Sequence, residues 1–369
     1  MTGPVSAGEW QQAGLYDPDA SAAAERLALL ELLHSLGCSL QEMLAADREG
    51  RLFALSGDRL IRPGTLRLGT AEAAREVGLE PLFLDRVWRA LGLPDPDGTL
   101  SEHDVAALRT VVAFRDLLGD DATLGMARVV GSSMARIAEA GSSAIRAGFS
   151  QVALAVSGSE VATARAYAEV AALVPGMVQL MDSAYRHHLD AARRHFEAVE
   201  GDTIGLTVRC GVGFADLSGF TTMSGQLELS ELSRLLVGFE DHASDAVHSG
   251  GGRVVKFLGD AVMFVASDPV RLVAIAHDLV QHPAAVEAGV LVRSGCAFGD
   301  VLAQDGDYFG TPVNLAARLT DIASPGELLV DEACAKRLGT SQSLGDGEPR
   351  VLRGFADPVP AYPVVLPSR

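Results

Sequence analysis

The sequence predicts an all-α N-terminal domain followed by an α+β domain, with a mixed, mainly antiparallel sheet covered by helices. Up to about residue 200, apolar residues recur three and four positions apart, which is the period of a helix. Beyond that point, segments rich in β-branched residues alternate with helical segments and glycine turns. We therefore expect a helical domain over 1–184, a helical linker over 185–202 and an α+β domain over 203–369.

The composition is that of a globular protein large enough for two domains. The chain has 369 residues, of which 48% are hydrophobic and 21% are charged. No long uncharged apolar stretch and no signal sequence is present, so we expect a cytoplasmic protein without a membrane span. The net charge of -18 opposes binding to nucleic acid, which requires a basic surface.

The four cysteines are far apart in the sequence and lack the paired spacing of metal ligands. They are Cys38, Cys210, Cys296 and Cys334. We interpret them as isolated, buried thiols that take no part in chemistry.

Helical periodicity in the N-terminal region predicts helices over 21–46, 70–91 and 101–118. Further helices follow over 121–198, with breaks expected at Gly141, Gly158 and the Pro175-Gly176 pair. No β pattern interrupts this region. The charged segment Tyr185–Glu200 is either a rigid connector between domains or an ordinary solvated helix.

Two segments near 68–79 and 87–94 vaguely resemble a winged helix-turn-helix reader of DNA. The acidic surroundings oppose DNA binding. They favour a helix-turn-helix shape that serves only to pack the helices of this region.

The C-terminal region reads as strand, helix, strand pair, helix, strand, helix and strand. The first strand lies within 203–216, and the three helices are expected over 230–249, 270–281 and 312–322. The strand pair within 253–266 turns tightly at Gly259-Asp260, so its strands must be antiparallel. A wholly parallel nucleotide-binding sheet is therefore excluded.

Three short segments carry candidate chemistry, and the first, FADLSGFT (214–221), places Asp216 where a strand ends in a turn. A carboxylate there suits Mg²⁺ with a phosphate ligand, and backbone N–H groups of the turn can cradle phosphate. The alternative is a helix-capping aspartate.

The second segment, VVKFLGDAVMF (254–264), places Lys256 and Asp260 on either side of a hairpin turn. A lysine in an apolar run lies at an exposed edge, reaches a carboxylate or meets a ligand acceptor. Asp260 either satisfies local backbone groups or supplies, with Asp216, the second carboxylate of a two-metal site.

The third segment, GDYFGTPVNLAAR (306–318), predicts a helix with Thr311 as N-cap and Pro312 in its first turn. Asn314 and Arg318 are four residues apart and share one face of that helix. They can converge on one phosphoryl ligand, or they are ordinary surface residues.

Together, in this order and spacing, the three segments resemble the catalytic domain of class III adenylyl and guanylyl cyclases, over roughly residues 204–366. The resemblance implies the ferredoxin-like α+β fold of that family. It also implies two Mg²⁺ or Mn²⁺ ions per active site, held by Asp216, Asp260 and the Leu217 carbonyl. Gly219, Phe220 and Thr221 would contact the substrate phosphates.

By the same resemblance, Asn314 orients the ribose and Arg318 stabilises charge at the α-phosphate. Lys256 and Asp307 correspond to the pair that reads the purine, and lysine with aspartate matches adenine, so ATP is the expected substrate. In this family the metal ligands and the other groups come from different subunits. A homodimer with shared sites is therefore expected.

One departure from the family concerns the triphosphate. Some members have an arginine within the segment corresponding to 294–301, where this chain has Asp300. Arg293, Arg353 or backbone N–H groups are the alternatives for phosphate contact.

The N-terminal region lacks phosphate-binding, metal or nucleophile motifs, and it resembles the helical regulatory region of some actinobacterial cyclases. The sequence does not identify its signal, for which a small molecule, a lipid and a proton are the candidates. His187, His188 and His195 are candidates for proton sensing, or are simply solvated. The apolar segment 151–181 can line a lipid pocket, although helix packing explains it more simply.

Overall fold

The computed structural model describes residues 7–62, 67–94, 99–149, 159–198, 200–201, 207–220, 225, 227–281, 291–339 and 343–365. The chain forms two compact units, Met1–Arg186 and His187–Arg369. Within the described ranges, no helix has the length and hydropathy needed to cross a bilayer.

The first unit is mainly helical. Its α-helices are α1 (Ala7–Gln12), α2 (Ala23–Ser35), α3 (Leu40–Arg48), α4 (Leu55–Ile61), α5 (Thr70–Val77), α6 (Pro81–Ala90), α7 (Glu102–Leu118), α8 (Asp120–Phe149) and α9 (Glu160–Ala171). A further helix, α10 (Val174–Ala198), begins in this unit and continues into the second. The core of the first unit consists of two separate apolar clusters, one around Leu29, Leu30 and Leu33 and the other around Leu84 and Trp88.

Two helices predicted as continuous are each divided by a glycine. The segment 21–46 bends at Gly37, whose φ is +81°, and α3 restarts at Ser39, which forms a capping box with Glu42. The segment 70–91 is divided at Gly78, which has φ +76° and ends α5. Conversely, α8 runs without interruption through Gly141, because a glycine weakens a helix interior without ending it.

The expectation of a purely helical N-terminal region is corrected in one detail. Strands β1 (Arg67–Gly69) and β2 (Thr99–Ser101) form a two-stranded antiparallel sheet in which Leu68 lies opposite Leu100. Three residues are too few to display the alternation that reveals a strand in a sequence. The predicted break at Gly158 lies outside the described residues.

The predicted linker 185–202 is not helical throughout. Helix α10 ends at Ala198, and strand β3 (Glu200–Gly201) then pairs antiparallel with the next strand, β4 (Thr207–Leu217). The C-terminal part of α10 therefore leads directly into the sheet of the second unit.

A mixed sheet, antiparallel in all but one pairing, forms the second unit. Its remaining strands are β5 (Arg253–Leu258), β6 (Ala261–Ala266), β7 (Val292–Gln304), β8 (Asp307–Phe309), β9 (Leu328–Asp331), β10 (Glu348–Arg350) and β11 (Val359–Pro363). The order is β10-β11-β9-β7-β4-β6-β5, with β3 beside β4 and β8 beside β7. Only the β7–β9 pair is parallel among the described strands. The predicted α+β fold class is confirmed.

Helices cover both faces of this sheet. Helices α11 (Leu229–Ser249), α12 (Pro269–Val280) and α14 (Glu332–Leu338) pack against one face, and α13 (Thr311–Ile322) packs against the other. Successive residues of β6 alternate between the two cores, with Phe264 in the first and Met263 and Val265 in the second. All four cysteines are buried and free, as the sequence predicted.

The close contact between β7 and α13 depends on Gly295. A Cβ at this position would lie 2.4 Å from the Thr320 backbone nitrogen and 2.5 Å from the Ala316 carbonyl oxygen. The absence of a side chain therefore lets α13 lie against the sheet, which positions the residues on that helix.

Gly295→Ala should lower the free energy of unfolding by about 1–3 kcal/mol, because the backbone of α13 must move away from β7. Gly238→Ala is the matched control, since a Cβ there meets nothing within 4 Å on helix α11. The control should be stabilising by about 0.5–1 kcal/mol. Chemical denaturation measures both, and equal effects would contradict this account of the β7–α13 contact.

Candidate functional site

Asp216 and Asp260 are brought together by the pairing of β4 with β6. Asp216 lies opposite Ala261 in the antiparallel register, and the Leu217 N–H donates to the Asp260 carbonyl at 3.2 Å. The β5–β6 turn is tight because Gly259 adopts φ +68°. Two acidic residues 44 positions apart in the sequence thus share one end of the sheet.

The electrostatics of this pair favour a cation. Burial raises the pKa of Asp260, and the negative charge of neighbouring Asp216, to which it hydrogen-bonds, raises that pKa further. The backbone N–H of Asp260 and the positive charge of Arg293 act in the opposite direction. Two carboxyl groups this close cannot both ionise cheaply unless positive charge lies beside them.

Arg293 supplies positive charge beside this pair. It lies directly opposite Asp216 in the β4–β7 register, and its Nε and Nη2 donate to Asp216 Oδ2 at 3.0 and 2.6 Å. Its Nη1 donates to the Asp321 carbonyl at 2.8 Å. The sequence offered Arg293 as a phosphate contact, whereas the structure places its guanidinium on a candidate metal ligand.

The other residues considered for the triphosphate lie elsewhere. Asp300 is exposed and faces Arg209 across β4 and β7, at 3.6 Å from the Arg209 Nε. Arg353 is exposed in the segment before β11.

Lys256 and Asp307 form an ion pair through Lys256 Nζ and Asp307 Oδ2, although they are 51 residues apart. Lys256 lies on β5 just after an irregularity in the β5–β6 register, and Asp307 begins β8. Asp307 Oδ1 accepts a second hydrogen bond from the Tyr308 N–H at 2.8 Å. Both side chains remain partly exposed, so a donor and an acceptor lie side by side within reach of a ligand.

Asn314 and Arg318 lie on one face of α13, as predicted. Asn314 is exposed, and Arg318 is partly buried with its Nη1 donating to Asp321 Oδ2 at 2.7 Å. The helix begins one residue earlier than expected, with Gly310 rather than Thr311 at the N-cap. The φ of +134° at this cap favours glycine.

The turn after β4 carries the residues assigned to phosphate contacts. Gly219 has φ +77° and is exposed, while Phe220 is partly buried against the core beside α11 and α12. Thr221 lies outside the described residues. The Ser218 N–H donates to the Leu291 carbonyl at 2.7 Å, which ties this turn to the segment entering β7.

The residues present fit hard divalent ions. Two adjacent carboxylates and a neighbouring main-chain carbonyl are the oxygen ligands that Mg²⁺ and Mn²⁺ accept, with substrate phosphates completing the shell. Arg293 already places a positive group against Asp216. No cluster of three His, Cys, Asp or Glu side chains suited to a metal occurs in the part of the chain that the structure describes. The two carboxylates and the carbonyl would leave the remaining coordination positions to water or to substrate oxygens.

Sequence reasoning missed the role of Asp321. This residue accepts from Arg293 through its carbonyl and from Arg318 through its carboxylate. The spacing of three residues on a helix could have predicted the contact between Arg318 and Asp321. The contact with Arg293 could not be predicted in this way, because it depends on how α13 packs against the sheet.

Comparison with known proteins identifies the family. Residues 10–191 match the family described as adenylate cyclase regulatory domain. An adenylate cyclase of Streptomyces coelicolor is 35% identical over 298 residues, which are 80% of this chain and 77% of that protein. An uncharacterized protein of Mycobacterium tuberculosis strain H37Rv is 47% identical over 355 residues, covering 95% of this chain and 92% of the relative.

Among solved structures, the adenylyl cyclase CyaB from P. aeruginosa aligns with 44% of this chain and 97% of its own, at 28% identity and a TM-score of 0.41. The match in the N-terminal unit and the relationship to the Streptomyces enzyme along most of the chain agree with the resemblance noted in the three motif segments. The chain therefore belongs to the adenylate cyclases that carry an N-terminal regulatory domain.

Proposed function

We propose that this adenylate cyclase forms 3',5'-cyclic AMP and pyrophosphate by attack of the ribose 3'-hydroxyl on the α-phosphate of ATP, at sites shared across a homodimer. The observation that supports this most directly is the apposition of Asp216 and Asp260 at one end of the sheet. The N-terminal unit regulates the reaction.

The metal half of the site consists of Asp216, Asp260 and the Leu217 carbonyl. Two Mg²⁺ or Mn²⁺ ions bound there would activate the 3'-hydroxyl and polarise the α-phosphate. Gly219 and Phe220 follow directly in the chain, so their backbone N–H groups are candidates for binding the phosphates, together with Thr221.

The purine half of the site consists of Lys256 and Asp307. Their ion pair keeps the ammonium and the carboxylate adjacent before substrate arrives. Lys256 then donates to N1 of adenine, and Asp307 accepts from the exocyclic amine. Guanine presents a carbonyl at that position and would leave Asp307 facing an acceptor, so ATP is preferred over GTP.

Asn314 and Arg318 complete the site from helix α13. Asn314 orients the ribose, and Arg318 stabilises the negative charge that develops on the α-phosphate as pyrophosphate departs. The hydrogen bond to Asp321 limits the positions open to the Arg318 guanidinium, which reduces the entropy lost when it meets the phosphate.

An exposed apolar stripe on α8 supports association of two chains. Met126, Val130, Met134 and Ile137 recur three and four residues apart, and each is about 40% exposed. Such a stripe on a long helix is typical of a helix that packs against a partner. Since every functional group is present in one chain, a homodimer has two equivalent sites.

Mixing inactive variants tests the shared site. Co-expression of Asp216→Asn with Arg318→Ala should restore up to about a quarter of wild-type activity, because half of the dimers are mixed and each holds one intact site. Co-expression of Asp216→Asn with Asp260→Asn is the control, since both changes affect the same half, and should restore nothing. Cyclic AMP formation is measured, and an absence of rescue in the first mixture would argue against shared sites.

Reversal of charge at Lys256 tests recognition of the base. Lys256→Glu should lower kcat/KM for ATP by about a hundredfold, because a charged hydrogen bond is lost and a second carboxylate faces Asp307. Lys336→Glu is the matched control at the other lysine of the sequence, which pairs with Glu332 on the surface, and should change kcat/KM by less than about twofold. A small effect at Lys256 would refute its assigned role.

Arg293 should compete with divalent ions for Asp216. Arg293→Met should tighten Mn²⁺ binding in the absence of nucleotide by about tenfold, because a positive group leaves the carboxylate pair. Arg209→Met removes another cross-strand arginine, the partner of Asp300, and should leave the affinity unchanged. Electron paramagnetic resonance of free Mn²⁺ measures both, and weaker binding in Arg293→Met would show instead that Arg293 orients Asp216 for the ion.

A further inference from the structure

A cavity of about 780 Å³ lies within the second unit, apart from the residues assigned to catalysis. It is bounded by the C-terminal part of α10, the end of α11, the glycine turn that leads into β5, and the start of α12. None of the residues assigned to the metal ions, the purine, the ribose or the α-phosphate lines it.

The lining of this cavity is basic, although the chain as a whole carries a net charge of -18. Five side chains that line it are arginine or histidine, and no aspartate or glutamate is among the lining residues: His188, Arg194, His248, Arg253 and Arg271. A concave surface of one charge raises the local concentration of oppositely charged ligands.

Two of these arginines are partly neutralised from outside the lining. Arg194 Nη2 lies 2.9 Å from Asp190 Oδ2, and Arg271 Nε lies 3.3 Å from Asp268 Oδ2. Asp268 also accepts from two backbone N–H groups at the start of α12, so its charge is shared with the helix N-terminus. Both arginines remain more than half exposed and keep other N–H donors for a ligand.

Arg253 is the least compensated of the basic side chains. It is partly buried and has no ion pair with a carboxylate in the described ranges. Its Nη2 donates to the Tyr308 hydroxyl at 2.6 Å, and its Nε is buried without a hydrogen-bond partner. A guanidinium in such surroundings is costly unless an anion lies nearby.

Gly251, which lines the cavity, leaves room for the Arg271 guanidinium. This residue has φ +73°, and a Cβ on it would lie 2.5 Å from Arg271 Nη1. Any side chain at this position would therefore displace Arg271 and also strain the turn. His248 also lines the cavity, and its Nδ1 lies 2.6 Å from the Ser244 carbonyl oxygen.

We propose that this cavity binds a small soluble anion of the phosphate class, held by Arg194 on α10, Arg253 on β5 and Arg271 on α12. Arginine suits such a ligand because its planar N–H groups match the spacing of phosphoryl oxygens. The bound anion connects the end of α10 to the β5 edge of the sheet. It also neutralises Arg253, whose partner Tyr308 donates its backbone N–H to Asp307 of the purine pair.

Binding of inorganic phosphate by the full chain tests this proposal. Titration calorimetry is carried out with EDTA at constant ionic strength, with chloride replacing phosphate in the reference titration. The double variant Arg194→Gln/Arg271→Gln should weaken phosphate binding at least about tenfold, since two charged hydrogen bonds are removed. Both side chains are mostly exposed, so the melting temperature without phosphate should stay close to that of wild type.

The matched control is Arg193→Gln/Arg350→Gln. Arg193 is next to Arg194, is similarly exposed and also pairs with Asp190, but it does not line the cavity. Arg350 is an exposed arginine paired with Glu348 on β10. This control should bind phosphate as wild type does.

Three results would overturn the proposal. Equal phosphate affinity in the cavity variant and in the control would place the anion elsewhere, including at the nucleotide site. An identical response to chloride would reduce the effect to ionic screening. Binding to vesicles of phosphatidylglycerol, but not to free phosphate, would assign these arginines to a lipid surface instead of a soluble ligand.

Discussion

The antiparallel pairing of β4 with β6 is the constraint on which the candidate site depends. It places Asp216 next to the β5–β6 turn, so two carboxyl groups that repel one another must share one end of a buried sheet. Repulsion of this kind is tolerated only where positive charge is available. Arg293 on β7, the strand on the other side of β4, supplies that charge. The Asp216–Asp260 repulsion and the arginine that offsets it therefore lie on opposite sides of β4.

Asp321 contacts both Arg293, which binds the candidate metal ligand Asp216, and Arg318 on helix α13. Its carbonyl accepts from Arg293, which binds Asp216, and its carboxylate accepts from Arg318. In the proposed dimer, the metal half and the arginine half of one chain belong to different sites. In that arrangement Asp321 contacts Arg293 of one site and Arg318 of the other. The close approach of α13 to Gly295 sets the distance between these groups.

A second chain of polar contacts links the Lys256–Asp307 ion pair to the basic cavity. Arg253 holds the Tyr308 hydroxyl, Tyr308 donates its N–H to Asp307, and Asp307 pairs with Lys256. The buried Tyr308 ring fixes the two ends of this chain relative to each other.

The sequence by itself determined the α+β class, the antiparallel hairpin, the buried thiols and the motif residues, because periodicity and turn chemistry are local properties. It also determined that Asn314 and Arg318 share a helix face. Only the tertiary structure decided that Arg293 binds Asp216, that Asp321 connects Arg293 with Arg318, and that five basic side chains meet in one cavity. These contacts join residues far apart in the chain, and strand register and helix packing set them. The breaks at Gly37 and Gly78 were missed because helical periodicity continues across glycines whose positive φ ends a helix. Strands β1 and β2 were missed because three residues are too few to show alternation.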